Sequence, residues 1–299
     1  MSFELNPTIP RSGRISRILA CTLGQKRKNR ICPAHPRLDG KRALVTGGAA
    51  GVGEFVSRGL MERGAQVTTM ARGLSHGSGI LPEADTLMVD LGDPLSIVSA
   101  IDCLGDTPFD LVICNAGLLP KKAEKTVMGL EKTFAVNVLG HHILYRLLIE
   151  RNLLTRNARI VMTTGDIYIL AKACSADIPY DSANKVYVRS KLGNLWQVAE
   201  LKRRYPNLHP IAVHPGVVAS GFIGSKTGFI AWLRSVQLIS EEAGAQASLI
   251  GATQDLPRGT YWHNTIGVVA LQAGDPALDP NGASCLWGQL ESLTAPLLK

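Results

Sequence analysis

The chain of 299 residues is 45% hydrophobic, contains no low-complexity tract and carries a formal net charge of +8. That is enough for one large domain with a well-buried core, or for two small ones. The charge is local: residues 1–42 hold ten Lys/Arg against Glu4 and Asp39, which leaves residues 43–299 with 22 basic and 22 acidic side chains. The body is electrically ordinary, and no nucleic-acid partner is expected of it.

Six cysteines (21, 32, 103, 114, 174, 285) show neither a C-x-x-C nor a paired Cys/His ligand spacing. They read as reduced thiols of a cytoplasmic protein. Residues 205–225 lack Asp, Glu, Lys and Arg but contain Pro206, Pro210, Pro215 and two histidines, which excludes a membrane span there. The N-terminus lacks the uninterrupted apolar stretch of a secretory signal.

From about residue 40, short apolar runs alternate with longer helical patterns. ALVT (43–46) precedes a glycine cluster and a helix reaching about residue 63. AQVTTM (65–70), TLMV (86–89) and LVIC (111–114) follow as β-like runs, and an amphipathic pattern covers roughly 126–150. RIVMTT (159–164) is the fifth strand; a helix from about 185 reaches Arg204; HPIAVH (209–214) is the sixth strand; a last helix falls near 241–253. Strands alternating with helices predict βαβ units. The expected fold is α/β: one doubly wound Rossmann domain over 39–299, mainly parallel, with helices on both faces.

After the first strand come Thr46-Gly47-Gly48-Ala49-Ala50-Gly51-Val52-Gly53. Glycines here let backbone N–H groups approach a pyrophosphate, and the next helix offers its N-terminal dipole to the same anion. The second strand decides which dinucleotide. A site selective for NAD places Asp or Glu at its end, whereas this strand ends in Ala71 and Arg72. A guanidinium would welcome a 2′-phosphate, so NADP(H) is favoured over NAD(H). The alternative is that Arg72 is a solvated strand-end residue.

Taken together, these residues resemble the short-chain dehydrogenase/reductase family over roughly residues 38–272. TGGAAGVG matches its phosphate loop, with Gly47, Gly51, Val52 and Gly53 as cofactor contacts. VDL resembles its adenine-contacting element and implicates Asp90 and Leu91. CNAG supplies Asn115, Ala116 and Gly117 along the cofactor. FAVNVLGHH resembles the N-x-x-G helix motif and points to Asn137. HPGVVAS resembles the turn that holds the nicotinamide and points to Pro215, Gly216, Val218 and Ser220. Within the family, FAVNVLGHHILYRLL, YVRSKLGNL and HPGVV are most similar to the retinol-dehydrogenase-like branch. Protochlorophyllide reductase is a neighbouring resemblance, carried by the phosphate loop, the NVLGHH helix and GTYWHN (259–264).

Tyr187 and Lys191, four residues apart, share one helical face. Such a pair alone is ordinarily a half-buried phenol beside a solvated ammonium; the cofactor motifs give it chemistry. A free phenol has a pKa of about 10, and a neighbouring ammonium is expected to pull it toward the working range. Tyr187 would then donate a proton during reduction and accept one during oxidation. The resemblance gives Lys191 a second role at the nicotinamide ribose, and gives Asn137 a role in shaping its helix and holding a water. The family's serine is replaced in the run V-M-T-T. Thr164 aligns with it and would stabilise oxyanion charge, with Thr163 as the fallback.

His141, His142 and His214 read as structural, and no His/carboxylate cluster has metal-binding spacing. Residues 221–240, with Phe222, Phe229, Ile230 and Trp232, suggest a greasy lid and a lipophilic substrate, or else packing on the core or an oligomer partner. The basic extension (1–38) carries Ile15, Ile18, Leu19 and Leu23 at helical spacing. It is a flexible tail or a short amphipathic helix in peripheral contact with an anionic membrane. A homodimer or homotetramer is common in the family. The leading expectation is an NADP(H)-dependent oxidoreductase interconverting carbonyl and alcohol. The alternatives are a non-catalytic dinucleotide-binding regulator and a C=C reductase.

Overall fold

The computed structural model describes residues 28–73, 84–120, 122, 124–177, 182–218 and 238–298, together with positions 18, 22, 24 and 25. Strands β1 (Arg42–Thr46), β2 (Gln66–Ala71), β3 (Asp85–Met88), β4 (Phe109–Cys114), β5 (Leu154–Thr163), β6 (His209–His214), β7 (Tyr261–His263) and β8 (Gly267–Val268) form one sheet. Its order is β3-β2-β1-β4-β5-β6-β7-β8, parallel except for the β7–β8 pair.

Parallel strands are covered on both faces, which is why their sequences read as apolar runs. Alternation along each strand sends Leu44, Val112 and Ile160 to one face and Val45, Ile113 and Val161 to the other. The first face is covered by helix α4 (Gly140–Glu150), which supplies Leu144 and Leu148, and by α5 (Ala183–Arg204), which supplies Leu192 and Trp196. The second is covered by α1 (Gly51–Met61), with Val56 and Leu60, and α6 (Glu241–Thr253), with Leu249 and Ile250. This is the expected doubly wound α/β domain.

Several elements go beyond the sequence reading. Helix α2 (Pro94–Asp102) starts at Asp93, whose carboxylate accepts from Leu95 N, and has Pro94 at its first turn. Helix α7 (Pro280–Thr294) begins the same way, on Asp279 followed by Pro280. It lies on α4 and α5, where Arg146 donates to Glu291 at 2.7 Å. The helix expected from about 126 begins only at Lys132: α3 (Lys132–Phe134) follows the Lys125–Glu131 bridge, and Glu131 caps it. A π-type stretch (Ala135–Leu139) then joins α3 to α4.

Of the basic extension, positions 18, 22, 24, 25 and 28 are helical. Ile18 packs against the first core cluster, and Cys32 N donates to Gln246 Oε1 at 2.8 Å. Among the described residues, no helix is long and apolar enough to cross a membrane.

Candidate active site

The C-terminal ends of β1, β4, β5 and β6 lie side by side along one edge of the parallel sheet. At β1, Gly47 and Gly51 adopt φ of 65° and 56°. A Cβ at Gly53 would lie 2.0 Å from the Gly47 carbonyl oxygen, so the chain doubles back more tightly than any side chain permits. Val52 packs partly on the core, and the N-terminus of α1 opens above the turn. Thr46 Oγ1 accepts from Asn115 N and Ala116 N, both at 3.0 Å, while Asn115 Nδ2 donates to Thr46 O at 3.2 Å. These bonds tie the end of β4 to the glycine turn. A glycine turn of this kind at a helix N-terminus fits a pyrophosphate, with the Glu241 carboxylate close to Gly51.

Gly117 follows, and a Cβ there would sit 3.4 Å from Asn137 Oδ1. After β3, Asp90 Oδ1 accepts from Gly92 N at 2.8 Å and Leu91 is buried. Arg72 lies exposed just beyond β2.

Helix α5 starts at Ser182, whose hydroxyl accepts from Lys185 N, and carries Tyr187 and Lys191 one turn apart. Lys191 Nζ stands 5.2 Å from the Tyr187 ring centroid and donates to Thr163 O at 3.3 Å. Lys191 is 4% exposed. Burial holds its ammonium down at about 8 and pushes the Tyr187 phenol up to about 12. The expected depression of the phenol pKa is therefore reversed. The cation lies over the ring face, and desolvation dominates.

Thr164 is 2% exposed and donates its hydroxyl hydrogen to Lys191 O at 2.7 Å. Thr163 Oγ1 is buried without a hydrogen-bond partner among the described residues. Gly165 is extended, and a Cβ there would lie 3.8 Å from both Lys191 Cγ and His214 Nδ1. The position that looks at the Lys191 stem is thus a glycine.

Asn137 sits in the π-type stretch and is fully buried. Its Oδ1 accepts from Leu118 N at 2.8 Å, and its Nδ2 donates to Leu118 O at 3.1 Å and Ser190 Oγ at 3.2 Å. Ser190 donates in turn to Tyr187 O at 2.7 Å. Asn194 Nδ2 donates to the same Thr163 carbonyl as Lys191, at 2.9 Å. Ser190 and Asn194 escaped the sequence reading, although both fall within the quoted YVRSKLGNL. His141 bridges Thr46 Oγ1 (3.0 Å) and Asn137 O (3.3 Å), and burial lowers its pKa to about 4. His142 lies 2.9 Å from Glu291. Both are structural, as their sequence positions suggest.

Asp166, His214 and His263 place ligand-type atoms within 4.8 Å of one another, a cluster invisible as sequence spacing. Its chemistry does not suit a metal. His263 Nδ1 accepts from Thr265 N at 3.0 Å, so a neutral ring carries its proton on Nε2, which faces Asp166 Oδ2 at 3.2 Å. Asp166 Oδ1 also accepts from Tyr261 OH at 2.6 Å. The cluster is a polar brace between β5, β6 and β7.

After β6, Pro215 leads to Gly216 at φ 96°, and Val218 bridges to Ile239. Ser220 and the four lid residues Phe222, Phe229, Ile230 and Trp232 lie outside the described residues.

Residues 41–227 match the family described as short chain dehydrogenase. The chain is 33% identical over 238 residues to mouse (Mus musculus) retinol dehydrogenase 12, covering 73% of this chain and 75% of the relative. It is 30% identical over 237 residues to human (Homo sapiens) retinol dehydrogenase 11, at 73% and 74% coverage. Among solved structures, an uncharacterised protein from Mycobacterium paratuberculosis superposes with a TM-score of 0.72 at 26% identity, over 89% of this chain and 98% of that one. A short chain dehydrogenase from Burkholderia cenocepacia, solved in complex with NADP, shares the fold with a TM-score of 0.58 at 22% identity, over 78% and 99%. With a glycine turn at β1, a Tyr/Lys pair on α5 and a family match across most of the sheet, the chain belongs to the retinol-dehydrogenase-like branch of the short-chain dehydrogenase/reductase oxidoreductases.

Proposed function

We propose that this protein is an NADP(H)-dependent oxidoreductase that interconverts a carbonyl and an alcohol on a lipophilic small molecule. The observation that carries the reading is the pairing of the buried Lys191 ammonium with the half-buried Tyr187 ring on α5, at the end of β5 where Lys191 meets the Thr163 carbonyl. Gly47, Gly51 and Gly53 would hold the pyrophosphate, Asp90 and Leu91 the adenine, Arg72 the 2′-phosphate, and the Pro215–Gly216 turn the nicotinamide. When bound, the cofactor supplies or accepts a hydride.

The chain's own part is proton handling. A phenol held at about 12 stays protonated near neutrality, so Tyr187 has a proton to give to the substrate oxygen during reduction, with the neighbouring Lys191 ammonium favouring the phenolate that remains. Lys191 keeps positive charge below about pH 8 and favours negative charge developing nearby. Asn137 and Ser190 fix the backbone beneath Tyr187. Thr164, with its hydrogen given to Lys191 O, anchors α5 rather than meeting the substrate. Retinol dehydrogenase relatives support a lipophilic substrate.

Incubation with NADPH and a panel of lipophilic ketones and aldehydes, in dark and light, tests the reading. Turnover in the dark is expected, falling about 1000-fold in Tyr187→Phe while NADPH still binds. Turnover undiminished in that variant would refute the mechanism, light-dependent turnover would favour a C=C reductase, and binding without turnover a regulator.

A further inference from the structure

The basic extension reaches the active-site end of the sheet. Gln25, 1% exposed, lays its side-chain amide along the backbone of Val217: Val217 N donates to Gln25 Oε1 at 2.9 Å, and Gln25 Nε2 donates to Val217 O at 3.2 Å. Val217 follows Gly216 directly in the turn read as the nicotinamide cradle. A Cβ at Gly216 would come within 3.0 Å of Gln25 Oε1, so the glycine admits the glutamine as well as the turn. The same chemistry holds Leu118, whose N–H and C=O are both met by the Asn137 amide.

A second tie runs alongside. Asn264, fully buried on the loop after β7, donates through Nδ2 to Pro215 O at 3.0 Å and to the side chain of Asn29. Arg30 N donates to Asn264 O at 3.1 Å. Two peptide units of the turn, at Pro215 and Val217, are thus fixed by bonds that lead into residues 25–30. The Val217 carbonyl also accepts from Ile239 N at 3.2 Å, so Gln25 reinforces a backbone tie at the carbonyl and supplies the partner of the Val217 N–H. A turn amide left to solvent lets the turn adopt several conformations.

We propose that the N-terminal extension is a working part of the cofactor site, with Gln25 as a positioning residue that holds the 215–218 turn in shape for the nicotinamide half of the dinucleotide. This rests on the dinucleotide-binding reading above. Gln25 touches no reacting atom; it acts through Val217.

The test compares two ligands in the full-length chain: NADPH, which spans the whole site, and 2′,5′-ADP, which has no nicotinamide. Gln25→Met keeps length and bulk but offers neither donor nor acceptor. NADPH is expected to bind about tenfold more weakly to it, with 2′,5′-ADP affinity unchanged within about twofold. Equal NADPH affinity in both proteins, or parallel loss of both ligands, would overturn the assignment. Should Gln25→Met not fold, hydrogen exchange in the unaltered chain decides. The Val217 amide is expected to be protected in the free protein, and exchange at the rate of an open loop would overturn the proposal. A chain that binds 2′,5′-ADP and NADPH yet shows no Gln25 effect leaves the functional reading standing; a chain that binds neither overturns both.

Discussion

Thr164 Oγ1 donates to Lys191 O across 2.7 Å, so the hydroxyl aligned with the family's serine spends its one hydrogen on the helix that carries Tyr187. Thr163, one residue earlier, keeps a buried hydroxyl with no partner among the described residues. The two threonines therefore answer substitution differently. Thr164→Val should destabilise the fold by about 1–2 kcal/mol, with kcat within about threefold of wild type. A hydroxyl stabilising the oxyanion would instead cost about 100-fold in kcat. Thr163→Val removes an unsatisfied group and should leave Tm unchanged or raised. Thermal melts and steady-state kinetics on the pair check both.

Gly165 occupies the place where a side chain would look at Lys191 Cγ. Its extended backbone and contacts of 3.8–3.9 Å accept a Cβ without strain. Gly165→Ser should fold normally and raise kcat for carbonyl reduction severalfold by adding a donor beside the Lys191 side chain. An unchanged or lower kcat in a variant with wild-type Tm would refute that placement.

The titration of Lys191 sets the upper pH limit. Its folded pKa of about 8 lies below the ordinary 10.5, so the ammonium is lost as pH rises through about 8. The phenol stays protonated up to about 12 and does not limit reduction in that range. The pH profile of kcat/KM for reduction should bend downward near 8. A flat profile from pH 7 to 10 would show that the lysine charge is not used.

Acid should unfold the protein through His141. Its ring is buried neutral between Thr46 and Asn137, with a pKa lowered from 6.5 to about 4. The unfolded state thus binds the extra proton first: this contribution is whole above pH 6.5 and is lost as pH falls toward 4, to about 3 kcal/mol. His141→Gln, which cannot charge, should flatten the fall of Tm over that window. An unaltered slope would place the acid sensitivity elsewhere.

Arg72 carries the cofactor preference in the proposed reading. Arg72→Ala should weaken NADPH binding at least about tenfold and leave NADH binding unchanged, since only the 2′-phosphate loses a charge-assisted bond. Titrating both cofactors into both proteins measures it, and a retained NADPH preference would make Arg72 a bystander.

What the sequence determined by itself is whatever depends on short spacing. The Gly47–Gly53 turn follows from glycines after an apolar run, and the Tyr187/Lys191 pair from a four-residue interval on a helix. Helices α2 and α7 escaped the sequence reading, although Asp93-Pro94 and Asp279-Pro280 carry the signal of a capping carboxylate before a first-turn proline. Tertiary structure alone decided how far the pair's protons are shifted, because burial of Tyr187 and Lys191 outweighs the charge between them. It also decided where the Thr164 hydrogen goes, and that Gln25 lies on Val217, 192 residues along the chain. A hydroxyl or an amide has no sequence signature for its partner: the bond is set by which backbone groups the folded sheet leaves within reach.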